Sequence, residues 1–118
     1  MNDDILLPCV DLEGCQASIR VADIRTIVQH NNKKEQLAFT TSDKKLYIFS
    51  LRGSLESARR LFEQFGFDAV NGGALANIPK LVAYEPKDST AYFSHEEPVQ
   101  ISRSNQKKVQ HLPRLCSH

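Results

Sequence analysis

The sequence predicts a mainly β chain of the α+β kind: antiparallel strands, one amphipathic helix over about residues 54–65, and a short C-terminal helix. Three observations carry that expectation. From residue 24 onward, short runs rich in β-branched and aromatic residues alternate with clusters of Asn, Asp, Ser, Gly and Pro. One stretch alone changes from a two-residue apolar period to one of three or four. The 118 residues, 41% hydrophobic and 25% charged, suit a single domain able to bury a core without a disulfide or metal.

The elements follow in order. Ile24-Arg-Thr-Ile-Val-Gln-His30 reads as a strand, and Asn31-Asn32-Lys33-Lys34 as the turn after it. Gln36-Leu-Ala-Phe-Thr-Thr41 places Leu37 and Phe39 on one face. Ser42-Asp43-Lys44 turns the chain into Lys45-Leu-Tyr-Ile-Phe49, completing a meander. Leu55, Ala58, Leu61, Phe62 and Phe65 then form one helical stripe, with Ser54 as N-cap and Gly66 as stop. Phe67-Asp-Ala-Val70 is extended. Asn71-Gly72-Gly73 breaks it, a loop in which glycine suggests positive φ. Ala74-Leu-Ala-Asn77, Lys80 to Tyr84, Ser89 to Phe93 and Pro98 to Ile101 are further short strands. A basic helix from Arg103 to about His111 ends before Pro113.

Charge and cysteine content narrow the function. Fifteen Lys and Arg against 14 Asp and Glu leave a net charge of +1, which by itself points mildly away from nucleic acid. The distribution is uneven. Asp3, Asp4, Asp11 and Glu13 precede the first basic residue, Arg20, whereas Arg103, Lys107, Lys108 and Arg114 follow the last acidic one, Glu97. That pattern fits either two solvated termini or a field that turns one end of the molecule toward an anion. Cys9, Cys15 and Cys116 contain no C-x-x-C pair and read as reduced thiols, and the N-terminus lacks a secretory pattern and any span-length apolar run. A cytoplasmic protein with no membrane partner is the expectation.

Enzyme signatures are missing from the sequence: there is no G-x-G-x-x-G, P-loop, G-x-S-x-G or H-E-x-x-H. His30, His95, His111 and His118 fall in predicted loops and the tail. Cys116 and His118 lack the second pair that a structural zinc needs. Cys15 is more simply an inert thiol than a nucleophile. No catalytic residue, metal site or cofactor is expected.

The order of elements, together with four local motifs, resembles the LytTR DNA-binding domain over residues 15–111. Val21-Ala-Asp-Ile-Arg-Thr-Ile-Val28 is similar to the family's V-x-D-I-x-Y-I-E segment. Thr40-Thr-Ser-Asp-Lys-Lys45 is similar to its T-x-D-x-K turn, and Ser54-Leu-Glu-Ser-Ala-Arg-Arg-Leu61 to its S-L-x-x-L-E-x-x-L helix. Ile101-Ser-Arg-Ser-Asn-Gln-Lys-Lys108 resembles V-S-R followed by basic residues. The central F-x-R-x-H-R-S-Y-x-V-N signature aligns with Phe67-Asp-Ala-Val-Asn-Gly-Gly-Ala-Leu-Ala-Asn77 and agrees at Phe67 and Asn77, with the apolar Leu75 at an open position. Its Arg, His, Arg and Ser fall on Ala69, Asn71, Gly72 and Gly73, a loss of charge and donors.

The resemblance implies an elongated antiparallel fold of small sheets, with residues 1–14 as an N-terminal extension, 15–111 as the domain and 112–118 as a tail. It implies sequence-specific binding of double-stranded DNA by a stand-alone, bacterial-type transcription regulator without a receiver domain. Loops would enter the major grooves, and two copies would bind side by side on direct repeats, as a homodimer on DNA. The implied contacts are His30, Asn31, Asn32, Lys33 and Lys34 in one loop, and Asn71 and Gly72 in a second. Arg103 would read a base edge, while Ser104, Asn105, Lys107 and Lys108 would hold phosphates. The alternative is a LytTR-like protein-interaction module that has lost DNA readout, motivated by the depleted loop at 69–73.

Overall fold

Ten strands make up most of the regular secondary structure in the computed structural model, which describes residues 5–30, 36–42, 45–50 and 52–114. They are β1 (Leu6–Asp11), β2 (Gln16–Arg20), β3 (Ile24–Gln29), β4 (Leu37–Thr41) and β5 (Leu46–Phe49), then β6 (Phe67–Asn71), β7 (Ala74–Asn77), β8 (Ala83–Glu85), β9 (Thr90–Ser94) and β10 (Glu97–Gln100). A seven-stranded sheet has the order β2-β1-β5-β4-β3-β7-β6, and a three-stranded sheet the order β10-β9-β8. All pairings are antiparallel. The fold is mainly β, with one helical stretch between β5 and β6, as the turn spacing predicts. Elongation is modest, with extents of 39 × 30 × 28 Å.

Alternation along the strands gives the large sheet two different faces. One face carries Ile27, Leu37, Phe39, Phe49, Phe67 and Leu75 and packs under helix α1 (Leu55–Phe62). The other carries Val28, Ala74 and Ala76 and packs against Tyr84, Ala91, Phe93 and Val99 of the small sheet. The result is three layers: helix, large sheet, small sheet.

Helix α1 starts where the sequence places its cap: the Ser57 amide donates to Ser54 Oγ at 3.1 Å. It continues as one 3₁₀ turn (Glu63–Phe65) and stops at Gly66, whose φ of +98° is the left-handed conformation that glycine permits. A Cβ there would also lie 2.8 Å from the Pro79 ring. Ala58 and Phe62 are buried as the stripe predicts, but Leu61 is 54% exposed. The stripe is wider than the groove that receives it.

Two expectations change. Residues 6–11, expected in an extension, form β1 between β2 and β5, and Cys9 is buried within it. Pro8 masks this strand in the sequence. It is tolerated because its carbonyl accepts from the Ser50 amide, so its missing N–H faces the point where β5 has already ended. Gly72 and Gly73 take no left-handed φ: among the described residues only Gly14 and Gly66 do so among glycines. The Asn71 side chain closes that turn instead. The short C-terminal helix is present as a 3₁₀ segment, Arg103–Lys108, the usual geometry for a piece too short to nucleate an α-helix.

The segment after it is also integral. Val109 is fully buried, the Tyr84 amide donates to the Pro113 carbonyl at 2.9 Å, and Arg114 pairs with Glu85.

Candidate nucleic-acid interface

Strand pairing brings the candidate segments together although they are distant in sequence. In the β3–β7 ladder Val28 lies opposite Ala74. The exit of β3 at His30 and the β6–β7 turn at Gly72-Gly73 therefore leave the large sheet at the same end. The Ser102 amide donates to the Val70 carbonyl at 2.8 Å, and Asn71 Nδ2 donates to the Gln100 carbonyl at 2.8 Å. Those two bonds set the start of the C-terminal 3₁₀ segment beside the same turn. His30, Asn71, Gly72, Arg103 and Ser104 thus occupy neighbouring surface. Asn31, Asn32, Lys33 and Lys34 lie outside the described residues, as do Cys116 and His118.

The candidates differ in how far they are committed. Arg103 and Lys107 are exposed and have no side-chain partner among the described residues. Gly72 is exposed with open space around it. By contrast, Asn71 uses both ends of its amide: Nδ2 reaches Gln100, and Oδ1 accepts from the Gly73 amide at 2.8 Å. Asn105 donates to Ser102 Oγ at 2.7 Å, and the Ser104 hydroxyl lies 3.4 Å from the same oxygen. His30 is half-buried, and its amide donates to the Gln36 carbonyl at 2.8 Å.

Lys108 is committed most fully. Its ammonium donates to the Ala69 carbonyl at 2.9 Å and pairs with Asp68 at 3.1 Å. Asp68 also pairs with Arg59 of the helix at 3.3 Å and accepts from the Ala69 amide at 2.8 Å. Partial burial pushes the Asp68 carboxyl up, but the Ala69 amide, Lys108 and Arg59 together hold it below its ordinary value. The sequence reading assigns Lys108 to phosphate and misses Asp68 altogether. No local pattern marks that carboxylate, because its partners lie 9 and 40 positions away.

Two other groupings could carry chemistry. Donor atoms of Asp11, Glu13 and Cys15 lie within 4.8 Å of one another at the exposed β1–β2 turn. Asp11 Oδ1 is already occupied there by the Glu13 and Cys15 amides, each at 2.9 Å. Cys9 is buried, and burial, with a smaller contribution from Asp11, pushes its thiol up, away from the reactive thiolate.

The residues that agree with the LytTR central signature are packing residues: Phe67 is 1% and Asn77 4% exposed. Asn77 Nδ2 donates to the Ile24 carbonyl at 3.2 Å, tying β7 to the start of β3. The same holds for Val21, Ile24 and Ile27 of the first motif, all in the helix-side core. No protein-family model matches the sequence, and no match to a curated protein was found.

Proposed function

We propose that this chain binds double-stranded DNA sequence-specifically as a transcriptional regulator, using loops at one end of the large sheet. The observation that carries the reading is the neighbourhood of the β3 exit, the Gly72-Gly73 turn and an exposed, unpartnered Arg103. A free guanidinium keeps its donor fork available for the O6 and N7 acceptors of guanine in a major groove. A glycine turn without side chains lets backbone approach a phosphate closely. Arg103 reads a base edge, Lys107 holds phosphate, and the paired Lys108 fixes the 3₁₀ segment that presents them. The ordered LytTR-like motifs add support, with paired direct repeats and two copies side by side as the corresponding mode of binding.

The test is an electrophoretic shift with duplex DNA across a salt series, followed by selection of bound duplexes from a random pool. The expected result is retardation that weakens steeply with salt, plus enrichment of a repeated motif. No retardation at low salt would sink the reading.

A second reading, a protein-interaction module without DNA readout, is favoured by one observation. Both ends of the Asn71 amide are engaged inside the fold, which leaves the turn few side-chain groups for a base edge. A flat selection with retained folding would favour this module.

A further inference from the structure

The two sheets do not close completely on each other. A cleft of about 430 Å³ remains between β3 and β4 on one side and the β9–β10 hairpin on the other. That volume is within the range that holds small ligands. Its polar feature is the ion pair of Arg25 Nη1 with Glu97 Oε1 at 2.6 Å, which joins the sheets. The Glu97 side chain is only 10% exposed, and the same Oε1 accepts from the Ser94 hydroxyl at 2.8 Å. Arg25 lies over the Phe93 ring, 5.4 Å from its centroid. Glu97 Oε2 and the remaining guanidinium nitrogens of Arg25 have no protein partner among the described residues.

This is an unusual expenditure. Two charges are drawn largely out of water, yet a single oxygen takes both contacts while the other is left over. The leftover acceptor and donors flank one ion pair at the wall of an open cleft. A hydroxyl pair, Thr26 and Thr40, also lines the cleft, and Phe93 and Val99 supply apolar surface.

We infer that this cleft binds a small uncharged molecule that joins a carboxamide or lactam edge to an apolar body. The edge is the complement of what the cleft leaves free: its N–H meets Glu97 Oε2, and its carbonyl accepts from Arg25. Both bonds are charge-assisted. A cation would gain Glu97 but meet Arg25, and an anion the reverse, so net charge on the ligand is selected against. Glu96, exposed at the same cleft, adds a further carboxylate that disfavours anions. The apolar body packs on Phe93 and Val99. The site stands apart from the DNA reading and is tested without DNA.

The experiment is an amide-resolved NMR titration of the whole chain with benzamide, benzoate and benzylamine, molecules of nearly equal size and different charge. Saturable shifts at Thr26, Glu97 and Val99 are expected with benzamide, with binding roughly tenfold weaker for both charged analogues, the size of effect one charge-assisted hydrogen bond gives. In Glu97→Gln the outward acceptor becomes a donor, and benzamide affinity should fall by a similar factor. Absence of local shifts, equal binding of the three probes, or unchanged benzamide binding in a folded Glu97→Gln would each overturn the assignment. The three-probe comparison on the unmodified chain decides the matter even if that variant fails to fold.

Discussion

The two faces of the large sheet are built from different materials. The helix face is aromatic: the Phe39 and Phe49 rings lie 5.0 Å apart, Phe62 and Phe67 5.8 Å, and Phe39 meets Phe62 edge-on at 6.4 Å. The opposite face carries Ala74 and Ala76, which meet Ala91 of the small sheet, and the layers are held by polar ties such as Arg25 to Glu97 and Asn71 to the Gln100 carbonyl. Large rings fill space and close one interface. Small side chains let backbone and polar groups approach and leave a cleft. One side of the sheet is thereby closed by large rings and the other by small side chains and polar ties.

The largest effect tests that division directly. Phe62→Ala, which removes the ring that meets Phe39, Phe65 and Phe67, should cost about 3–5 kcal/mol in denaturant unfolding. Val99→Ala, on the other face beside an existing cleft, should cost roughly 1–2 kcal/mol, since two methyl groups are lost and little new cavity forms. Equal losses would break the comparison.

The next effect separates free from committed side chains at the candidate interface. Arg103→Ala should leave the melting temperature unchanged and cost roughly 1–3 kcal/mol of DNA affinity, concentrated at one base position. Unfolding curves and competition with single-base variants of the selected site measure the two quantities. A lowered melting temperature would show that Arg103 supports the fold. A uniform affinity loss across sequences would reduce it to a phosphate contact.

The aromatic side was legible in the sequence for a physical reason: its signals are local. Ser54, the spacing of Ala58 and Phe62, and Gly66 lie within one turn or two of what they control. The meander of β3, β4 and β5 was legible through β-branched runs and turn residues. The other side was not, because its logic is long-range. Asp68 needs Lys108, and Arg25 needs Glu97, partners that no window along the chain can unite. β1 was hidden by Pro8, whose usual meaning holds only where a strand neighbour continues. The candidate interface was legible as residue types in loops, yet not as commitments. Asn71 and Lys108 look identical in sequence to free contacts, and hydrogen bonding alone separates them from Arg103.

A smaller, pH-dependent effect sharpens the same point. Asp68 links the helix, β6 and the C-terminal 3₁₀ segment, and its carboxyl is held below the ordinary value. A depressed carboxyl contributes stability that is full above the unfolded value, about pH 4, and is lost as pH falls through the lower folded value. At 36% side-chain exposure, solvent screening limits the contribution to about 1 kcal/mol or less. Melting temperatures of the wild type and Asp68→Asn should therefore differ at neutral pH and converge on acidification. A gap that persists in acid would mean the carboxylate charge is not what joins these elements.

The smallest expected effect lies at the edge of the aromatic face. Helical periodicity assigns Leu61 to the apolar stripe, but its side chain is 54% exposed, one position before the fully buried Phe62. A residue that keeps about half of its surface in water gains only part of the usual burial energy, and a glutamine there forfeits little helix propensity. Leu61→Gln should shift unfolding free energy by no more than about 0.5 kcal/mol, as surface substitutions do. A loss near that of Phe62→Ala would mean that Leu61 is covered in solution, and an apolar partner on this face would have to be found. A shift within the surface range would confine the helix-side core to the phenylalanine cluster beneath Ala58 and Phe62.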